Sequence, residues 1–449
     1  MNEFNVLIID DDPKILEAYQ SILDPSDLIF GQKLNIFENQ SNSDENRDLQ
    51  RGDKSNFRIT TVLQGAEGVE AVSSAIAGGS PYALVFIDMR MQPGIDGLET
   101  AKRILVVDPQ IEIAIVTAYA DKSLQDMNQV LGQNRFLFLK KPFDRDTLIQ
   151  MAQFLTFRWK LAQINRAYER FVPKQFLKLM NKKSILEVNI GDYVKKYLSI
   201  FFADIRSYTN LSETLSLKEN YSFLNSYLSK MGPIIRKHNG VIDKYIGDAI
   251  MGIFDANPDN AVDAAISMRT CLLEYNLGRK RAGYLPIDIG IGINTGDVML
   301  GTLGEDQRMD SSVVSDAVNI ASRLEGLTKR YGVGILISGN TIGSLSNPSR
   351  YLDRIVDQVI FKGKTKPVVV HEIFNADPPE VKEAKQATGP RFDEAIALYH
   401  SNQFTTARKI FREIYALNPK DRVVQHYLNR RQDSGRDDWE KESESLLYV

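Results

Sequence analysis

The sequence has little of several features that mark specialised protein classes. It contains a single cysteine, Cys271, in 449 residues, so no internal disulfide can form and a reducing compartment is expected. Its formal net charge is only −3. That balance provides neither the basic surface of a nucleic-acid-binding protein nor the basic patches that bind anionic membranes. We therefore expect no nucleic-acid partner.

Long apolar runs are also missing. No stretch approaches the roughly 18 uninterrupted apolar residues of a membrane span. The N-terminal segment Met1–Asn5 has neither the basic start nor the apolar run of a secretion signal. These absences predict a cytoplasmic protein without membrane insertion.

The length and the pattern of the chain predict four segments. Residues 1–148 form an α/β unit, with a polar insertion at about 24–56. Residues 149–190 form a helical linker, residues 191–377 an α+β unit, and residues 378–449 a helical tail.

In the first segment, strand-like apolar runs alternate with helical stretches, which predicts a doubly wound parallel sheet. Each run ends in a polar group, and ligands of such sheets gather at the carboxyl ends of the strands. The runs precede Asp10-Asp11, Asp88, Thr117 and Lys140-Lys141.

These polar groups predict phosphoryl chemistry. Asp10, Asp11 and Asp88 would repel one another unless a divalent cation lay among them. Asp88 would then attack a phosphoryl donor as a carboxylate nucleophile. Thr117 would donate a hydrogen bond to the new phosphoryl group, and Lys141 would supply positive charge. The alternative is that these acids only cap strands and helices.

The same residues resemble the receiver domain of two-component response regulators. The resemblance implies a flavodoxin-like fold, one bound Mg²⁺, and phosphorylation of Asp88 by a histidine kinase or phosphotransfer protein. It also implies that Thr117 and Phe138 couple phosphorylation to a surface change. The matching positions are Asp10-Asp11 with Pro13, Asp88, the turn Pro93–Gly97, Thr117-Ala118, and Lys141-Pro142-Phe143.

The linker and the tail are predicted to be helical. Apolar positions recur at helical spacing through residues 144–183; Leu148 to Phe154 are expected to pack on the first unit, and the later part is the better candidate for pairing with a second copy. In the tail, Phe392–His400 and Phe404–Phe411 resemble one tetratricopeptide-type pair. Because a solenoid needs about three repeats, we predict a capping pair.

The third segment has the element order β-α-β-β-α-β, which predicts a ferredoxin-like α+β fold. Asp204 ends its first apolar run, and Asp248 lies in the following hairpin. Adjacent strand ends would bring these carboxylates together, and hard oxygen ligands suit Mg²⁺ or Mn²⁺. Two such ions beside a phosphoryl group predict a nucleotide enzyme. The further candidate residues are Lys244, Ser312, Asn319, Arg323 and Lys362.

Over residues 197–374 these features resemble a class III nucleotidyl cyclase catalytic domain. Arg170–Pro173 also resembles the signalling helix that precedes many bacterial cyclase domains. The matching stretches are Phe202–Thr209, Lys244–Asp248, Gly290–Asp297, Asp316–Arg323 and Phe361–Lys364.

The resemblance implies a head-to-tail homodimer that cyclises a nucleoside triphosphate at its interface and releases pyrophosphate. Asp204, Asp248 and the Ile205 carbonyl of one chain would bind two Mg²⁺ or Mn²⁺ ions. The other chain would position the ribose through Asn319 and meet charge developing at the α-phosphate through Arg323. It would also supply the substrate-binding residues Lys244, Ser312 and Lys362.

Base choice follows from hydrogen bonding. Lys244 can donate to the adenine N1 and the Ser312 hydroxyl can accept from its amino group, whereas guanine carries a donor at N1. The leading hypothesis is therefore an adenylate cyclase controlled by phosphorylation of the first unit. A guanylate cyclase, or a non-enzymatic response regulator that uses a silent cyclase fold for dimerisation, remain the alternatives.

Overall fold

The computed structural model describes residues 3–23, 56–118, 124–169, 174–255, 257–305 and 307–430. The chain forms two compact units, residues 1–171 and 172–449. The predicted insertion, apart from its last residue, and the predicted signalling motif at 170–173 lie outside the described residues. None of the described helices is long and apolar enough to cross a membrane.

The first unit contains a five-stranded sheet in the order β2-β1-β3-β4-β5 with every pair parallel. This order confirms the predicted doubly wound fold. Its strands are β1 (Glu3–Ile9), β2 (Asn56–Val62), β3 (Leu84–Asp88), β4 (Glu112–Thr117) and β5 (Phe136–Lys140); its helices are α1 (Pro13–Leu23), α2 (Gly65–Ala77), α3 (Gly97–Val107), α4 (Leu124–Leu131) and α5 (Arg145–Tyr168).

Helices cover both faces of this sheet, so its central strands are buried throughout. In β3, Val85 and Ile87 face a core completed by α2, α3 and α4. Leu84 and Phe86 face the opposite core, which α1 and α5 complete. The continuous apolar runs of the sequence therefore correspond to strands buried on two sides.

Helix α5 belongs partly to this core. The Asp144 side chain caps it by accepting a hydrogen bond from the Thr147 backbone N–H. Leu148 and Leu155 are buried against the sheet. Phe154 is 57% exposed, so its predicted packing on the first unit is wrong: it lies on the solvent side of the helix. The predicted continuous helix over 144–183 is seen as α5 and a short α6 (Lys174–Leu179).

The second unit is built around an eight-stranded sheet in the order β12-β13-β11-β9-β6-β8-β7, with β10 paired to β9. Its strands are β6 (Tyr193–Ile205), β7 (Gly240–Ile246), β8 (Ala249–Phe254), β9 (Ile289–Glu305), β10 (Arg308–Val314), β11 (Ile335–Ser338), β12 (Asp353–Val359) and β13 (Val368–Ile373). After α6, its helices are α7 (Tyr208–Glu213), α8 (Leu217–Lys237), α9 (Pro258–Arg281), α10 (Asp316–Tyr331), α11 (Gly339–Ser344), α12 (Pro379–His400), α13 (Phe404–Leu417) and α14 (Arg422–Asn429).

The central part of this unit confirms the ferredoxin-like prediction. The chain order β6-α8-β7-β8-α9-β9 gives the spatial order β9-β6-β8-β7 with antiparallel neighbours. Helices α8 and α9 cover one face of the sheet, and α6 with the first turns of α10 covers the other. Helix α8 starts at a capping box formed by Ser216 and Glu219, which satisfies N–H groups at its N-terminus.

Up to residue 430, where the described part of the tail ends, the tail contributes three helices rather than a pair. Helices α12, α13 and α14 share a core with α10, β12 and β13. A buried ionic network joins them to the sheet: Arg354 of β12 contacts Glu372 of β13 and Asp421, and Lys385 of α12 contacts Glu372. The tail is thus part of the second compact unit.

Candidate functional site

An acidic pocket lies at the carboxyl ends of strands β1, β3 and β5. Asp10 follows β1, Asp88 ends β3, and both side chains are almost fully buried. The Lys141 ammonium donates to Asp10 Oδ2 at 2.7 Å and to Asp88 Oδ1 at 2.5 Å. The structure therefore brings together three of the residues selected from the sequence.

The charges in this pocket depend on one another. Burial raises the pKa of Asp10, against the effect of its hydrogen bond with Lys141. Burial lowers the pKa of Lys141, but Asp10 and Asp88 outweigh this, and the pKa is raised overall. Two carboxylates against one ammonium leave net negative charge in a buried site, which suits a hard divalent cation.

The loop after Asp88 is folded closely over the pocket. Asp88 Oδ2 accepts a hydrogen bond from the Arg90 backbone N–H at 2.8 Å, and Asp11 Oδ2 accepts one from the Gln92 backbone N–H at 3.0 Å. A Cβ at Gly97 would lie 2.2 Å from the Asp88 carbonyl oxygen. Glycine is required there because the loop returns to α3 directly beneath the aspartate.

Thr117 and Phe138 lie on the strands next to this pocket. Thr117 is buried at the end of β4, and its carbonyl accepts a hydrogen bond from the Lys141 backbone N–H at 2.8 Å. Phe138 lies in β5 and packs, partly buried, against the core beneath α2, α3 and α4. Thr117 is therefore joined through its backbone to Lys141 of the polar cluster, Phe138 packs in the core, and the coupling role of both residues stays a prediction.

In the second unit, the fold brings Asp204 and Asp248 to one end of the sheet. Asp204 is the penultimate residue of β6, and Asp248 lies in the tight turn between β7 and β8, where Gly247 adopts a positive φ of 63°. Because β6 pairs with β8, the two carboxylates meet. Asp248 Oδ2 accepts a hydrogen bond from the Ile205 backbone N–H at 3.2 Å.

Helix α10 adds a third carboxylate and a lysine to this carboxylate pair. Burial and the nearby Asp204 raise the pKa of Asp248. Burial, followed by Asp204, raises the pKa of Glu325 to about 8. Lys329 Nζ lies 3.5 Å from Asp204 Oδ2. This concentration of like charge, only partly balanced by one lysine, fits a site for divalent cations.

The donor set is nevertheless small. Within the described parts of the chain, no group of three or more carboxylate, imidazole or thiol side chains is arranged to hold a metal ion. The Glu325 Oε1 atom is buried without a hydrogen-bond partner among those residues. The two aspartates are therefore the candidate metal ligands here, and the Ile205 carbonyl stays a prediction from the sequence.

Helix α10 presents different groups on different faces. At about 100° per residue, Asn319 and Arg323 lie on one face, whereas Glu325 and Lys329 lie on a face turned well away from it. Arg323 Nη1 donates to the Lys362 carbonyl at 2.9 Å. The predicted residues Asn319, Arg323 and Lys362 thus form a group that is separate from the carboxylate pair.

The turn that carries Lys362 is attached to α10 at two further points. The Arg323 guanidinium lies over the Phe361 ring, 5.5 Å from its centroid. Lys364 Nζ lies 2.5 Å from Asp316 Oδ2 at the N-terminus of the helix. The basic turn and the helix therefore form one structural group.

Lys244 and Ser312 lie on two strands of the second unit's sheet. Lys244 is exposed on β7 and contacts Asp243, and Ser312 is half-buried on β10 opposite Gly301. Among the described residues, no hydrogen bond or ion pair joins either residue to Asp204, Asp248 or Arg323. The substrate-binding role of both residues stays a prediction.

Three residues near these sites were not selected from the sequence. Glu325 and Lys329 have the i, i+4 spacing of one helix face, directly after Arg323, and that spacing was a usable signal. Asp243 had no such signal, because side chains of adjacent strand residues ordinarily point to opposite faces.

Comparison with known families divides the chain in the same way. Residues 192–373 match the family model of the adenylate and guanylate cyclase catalytic domain. Residues 39–153 match the family model of the response regulator receiver domain. The first match covers the carboxylate pair, and the second covers Asp88 and Lys141 of the acidic pocket but begins after Asp10 and Asp11.

Individual proteins also resemble the chain. An adenylate cyclase of Anabaena cylindrica is 42% identical over 220 residues, which are 48% of this chain and 44% of that protein. A terminal-differentiation-specific adenylate cyclase of Dictyostelium discoideum is 33% identical over 278 residues, which are 60% of this chain and 13% of that protein. The chain therefore spans less than half the length of either relative.

Among solved structures, the crystal structure of the adenylyl cyclase CyaB from P. aeruginosa is 33% identical. The structural match has a TM-score of 0.37 and covers 40% of this chain and 95% of the CyaB chain.

Proposed function

This chain joins a response regulator receiver domain to a class III adenylate/guanylate cyclase catalytic domain, and from that premise we propose that it is an adenylate cyclase controlled by phosphorylation. It converts ATP to 3′,5′-cyclic AMP and pyrophosphate. The observation that carries the proposal is that Asp204 and Asp248 meet at the end of the sheet. In the same domain, α10 has Asn319 and Arg323 on a different face from Glu325 and Lys329.

This separation supports a shared active site. Asn319, Arg323 and Lys362 form one group, and the carboxylate pair forms another. A single chain has both groups but directs them differently, so two chains in a head-to-tail dimer would each complete the other's site. Each homodimer would therefore have two equivalent active sites.

The reaction is attack of the ribose 3′-oxygen on the α-phosphorus, with formation of one phosphorus–oxygen bond and departure of pyrophosphate. Mg²⁺ or Mn²⁺ ions held by Asp204, Asp248 and the Ile205 carbonyl would lower the pKa of the 3′-hydroxyl and balance the triphosphate charge. Asn319 orients the ribose. Arg323 stabilises charge developing on the α-phosphate, and Lys362 binds the terminal phosphates.

Two observations favour ATP as the substrate. Lys244 is an exposed donor and Ser312 carries a hydroxyl that can accept, which matches the hydrogen-bonding edge of adenine. The two curated relatives described above are both adenylate cyclases. We infer that a mismatched guanine would leave buried polar groups unpaired and be disfavoured.

Phosphorylation of Asp88 is the proposed control. The receiver pocket has the nucleophile, the Lys141 ammonium and the strand-end Thr117 in neighbouring positions. A new phosphoryl group would compete for Lys141 and Thr117, and so change the surface near Phe138. A histidine kinase or a phosphotransfer protein would supply the phosphoryl group.

Helix α5 provides a route to dimerisation. Five exposed apolar residues recur on it at alternating spacings of three and four, the a/d pattern of a coiled coil. The residues are Phe154, Phe157, Leu161, Ile164 and Tyr168. Pairing of this stripe with a second copy would link the receiver domains to the alignment of the two catalytic domains.

The direct test is product analysis of the purified chain with ATP and GTP in separate reactions. We expect cyclic AMP from ATP, loss of activity when the divalent cation is chelated, and recovery with Mg²⁺ or Mn²⁺. Cyclic GMP, formed from GTP, as the main product would identify a guanylate cyclase. Absence of both products, from a protein that still accepts phosphate on Asp88, would identify a non-enzymatic response regulator.

A further inference from the structure

Asp243 of β7 is a buried carboxylate whose one charged contact among the described residues is its sequence neighbour, Lys244. Its side chain is 0% exposed, and Lys244 Nζ lies 3.3 Å from its Oδ2 atom. Neither carboxylate oxygen accepts a hydrogen bond of good geometry from any described residue. Because an uncompensated buried carboxylate is costly, the fold depends on the Lys244 ammonium remaining there.

An irregularity in the strand makes this pairing possible. Ile242 lies opposite Gly252 of β8, whereas Lys244 lies opposite the preceding residue, Met251. Asp243 is therefore an extra residue, and the strand contains a β-bulge. In a regular strand, side chains of adjacent residues point to opposite faces. The bulge re-aims one of them, so that the carboxylate and the ammonium come together.

Lys244 is well suited to act in two directions. Its ammonium carries three N–H donors and no acceptor, and a carboxylate can only accept. One donor directed at Asp243 leaves two for another partner. The Lys244 side chain is 42% exposed while Asp243 is fully covered, so only the lysine is open to a ligand.

We propose that Asp243 is a positioning residue for base recognition, whose buried carboxylate holds the Lys244 ammonium so that its remaining donors meet the acceptor edge of adenine. The inference rests on the proposed function, because it deepens the choice of ATP over GTP. Asp243 does not touch the nucleotide; it acts through Lys244. Burial raises the pKa of Asp243 and Lys244 opposes that rise, in agreement with a carboxylate that depends on this one cation.

The test is a double-mutant cycle in the full chain. Asp243→Asn, Lys244→Ala and the double variant are compared with Glu413→Gln, which breaks an exposed ion pair with Arg391 in the tail. For each protein, kcat/KM is measured with ATP and with GTP. We expect Asp243→Asn to lower the ATP-to-GTP ratio of kcat/KM roughly tenfold, since the ion pair that holds the Lys244 ammonium is lost. In the Lys244→Ala background the same substitution should leave the ratio unchanged.

Two results would overturn the inference. One is an equal loss of kcat/KM for both nucleotides, which a merely structural role predicts. The other is an unchanged effect of Asp243→Asn on the ratio after Lys244 has been removed. Thermal unfolding of each variant, with Glu413→Gln as the reference, separates loss of folding from loss of discrimination.

A binding measurement distinguishes this inference from the proposed function. 3′-Deoxy-ATP and 3′-deoxy-GTP lack the attacking hydroxyl, so calorimetric titration with each reports base preference without turnover. If the wild-type chain forms no cyclic nucleotide, the proposed enzyme is contradicted. If Asp243→Asn loses the preference for the adenine analogue in the titration, the positioning role is still supported. Unchanged preference in Asp243→Asn contradicts that role, whether or not the enzyme is active. Binding of neither analogue by the wild-type chain contradicts both.

Discussion

The receiver pocket and the carboxylate pair of the second unit both place aspartates at strand ends, yet they balance charge differently. In the receiver pocket, Lys141 contacts both Asp10 and Asp88 from within the same chain. In the second unit, Lys329 reaches only Asp204, at 3.5 Å, and Arg323 is directed elsewhere. In the first site one lysine contacts both carboxylates, whereas in the second site one lysine contacts only one of the two.

The topology of each unit explains this difference. In the first unit, the parallel strands end at one edge of the sheet. Asp88, Thr117 and Lys141 follow or end these strands and therefore lie at that edge. In the second unit, the face of α10 that carries Lys329 lies beside Asp204, whereas Arg323 lies on another face of the helix, and a straight helix cannot turn both faces toward one point. We infer that receiver chemistry needs one chain and cyclase chemistry needs two.

The largest expected effect comes from removing one carboxylate of the pair. Asp204→Asn or Asp248→Asn should lower cyclic AMP formation by about a thousandfold or more, because the oxygen ligands for the divalent cations are lost. Phosphorylation by acetyl phosphate, measured in the same proteins, should be unchanged. Activity within tenfold of the wild-type value in either variant would contradict the metal assignment.

Complementation tests the two-chain requirement directly. Chains with Asp204→Asn and chains with Arg323→Ala should each be inactive, but co-refolded mixtures should regain about a quarter of wild-type activity. That fraction follows because half of randomly formed dimers are mixed, and each mixed dimer has one intact site of two. No recovery, in mixtures whose dimers are shown to form, would mean that each chain builds its own site.

A substitution in the buried ionic network of the tail should change the free energy of unfolding of the second unit but not of the first. Arg354 is buried and donates to both oxygens of Asp421, at 2.6 and 2.9 Å. Arg354→Ala would leave Glu372 and Asp421 buried without this cation, which costs about 3–5 kcal/mol. Urea unfolding should show that loss in the second unit and no change in the first.

The matched control for this prediction is Arg391→Ala. Arg391 is exposed and pairs with Glu394 and Glu413 on the surface of the tail. Such exposed pairs contribute little to stability, because both charges are solvated and screened. A similar loss of stability in both variants would contradict the assigned role of the buried network.

The smallest expected effect concerns regulation. Asp88→Asn removes the nucleophile while keeping the size of the side chain, so the several-fold change in cyclase activity expected with acetyl phosphate should disappear. Basal activity should remain, because the catalytic unit contains none of the receiver residues. A variant that still responds fully to the phosphodonor would contradict control through this pocket.

Much of the fold was predictable because its signals are local. The apolar runs before Asp10, Asp88 and Thr117 identified a parallel sheet and the edge where its ligands gather. The β-α-β-β-α-β order identified the second sheet, and the i, i+4 spacing of Asn319 and Arg323 placed both on one helix face. Each of these patterns depends on a backbone period that a short stretch of sequence carries.

Other features depend on which surfaces approach each other. Phe154 was expected to pack inward, but α5 turns Leu155 to the core and leaves Phe154 in solvent. The third tail helix, α14, was not predicted, although its Asp421 completes the buried network with Arg354. Neither outcome follows from a local period, since both depend on long-range packing.

The sequence by itself determined the strand ends, the helix faces and therefore the chemical groups that are available, because alternation and helical spacing are properties of neighbouring residues. Only the tertiary structure decided how those groups combine. A Cβ at Gly292 of β9 would lie 2.2 Å from the Glu325 backbone nitrogen, so the absence of a side chain there lets α10 approach the sheet. That close approach brings Glu325 and Lys329 beside Asp204, and the β7 bulge brings Asp243 to Lys244.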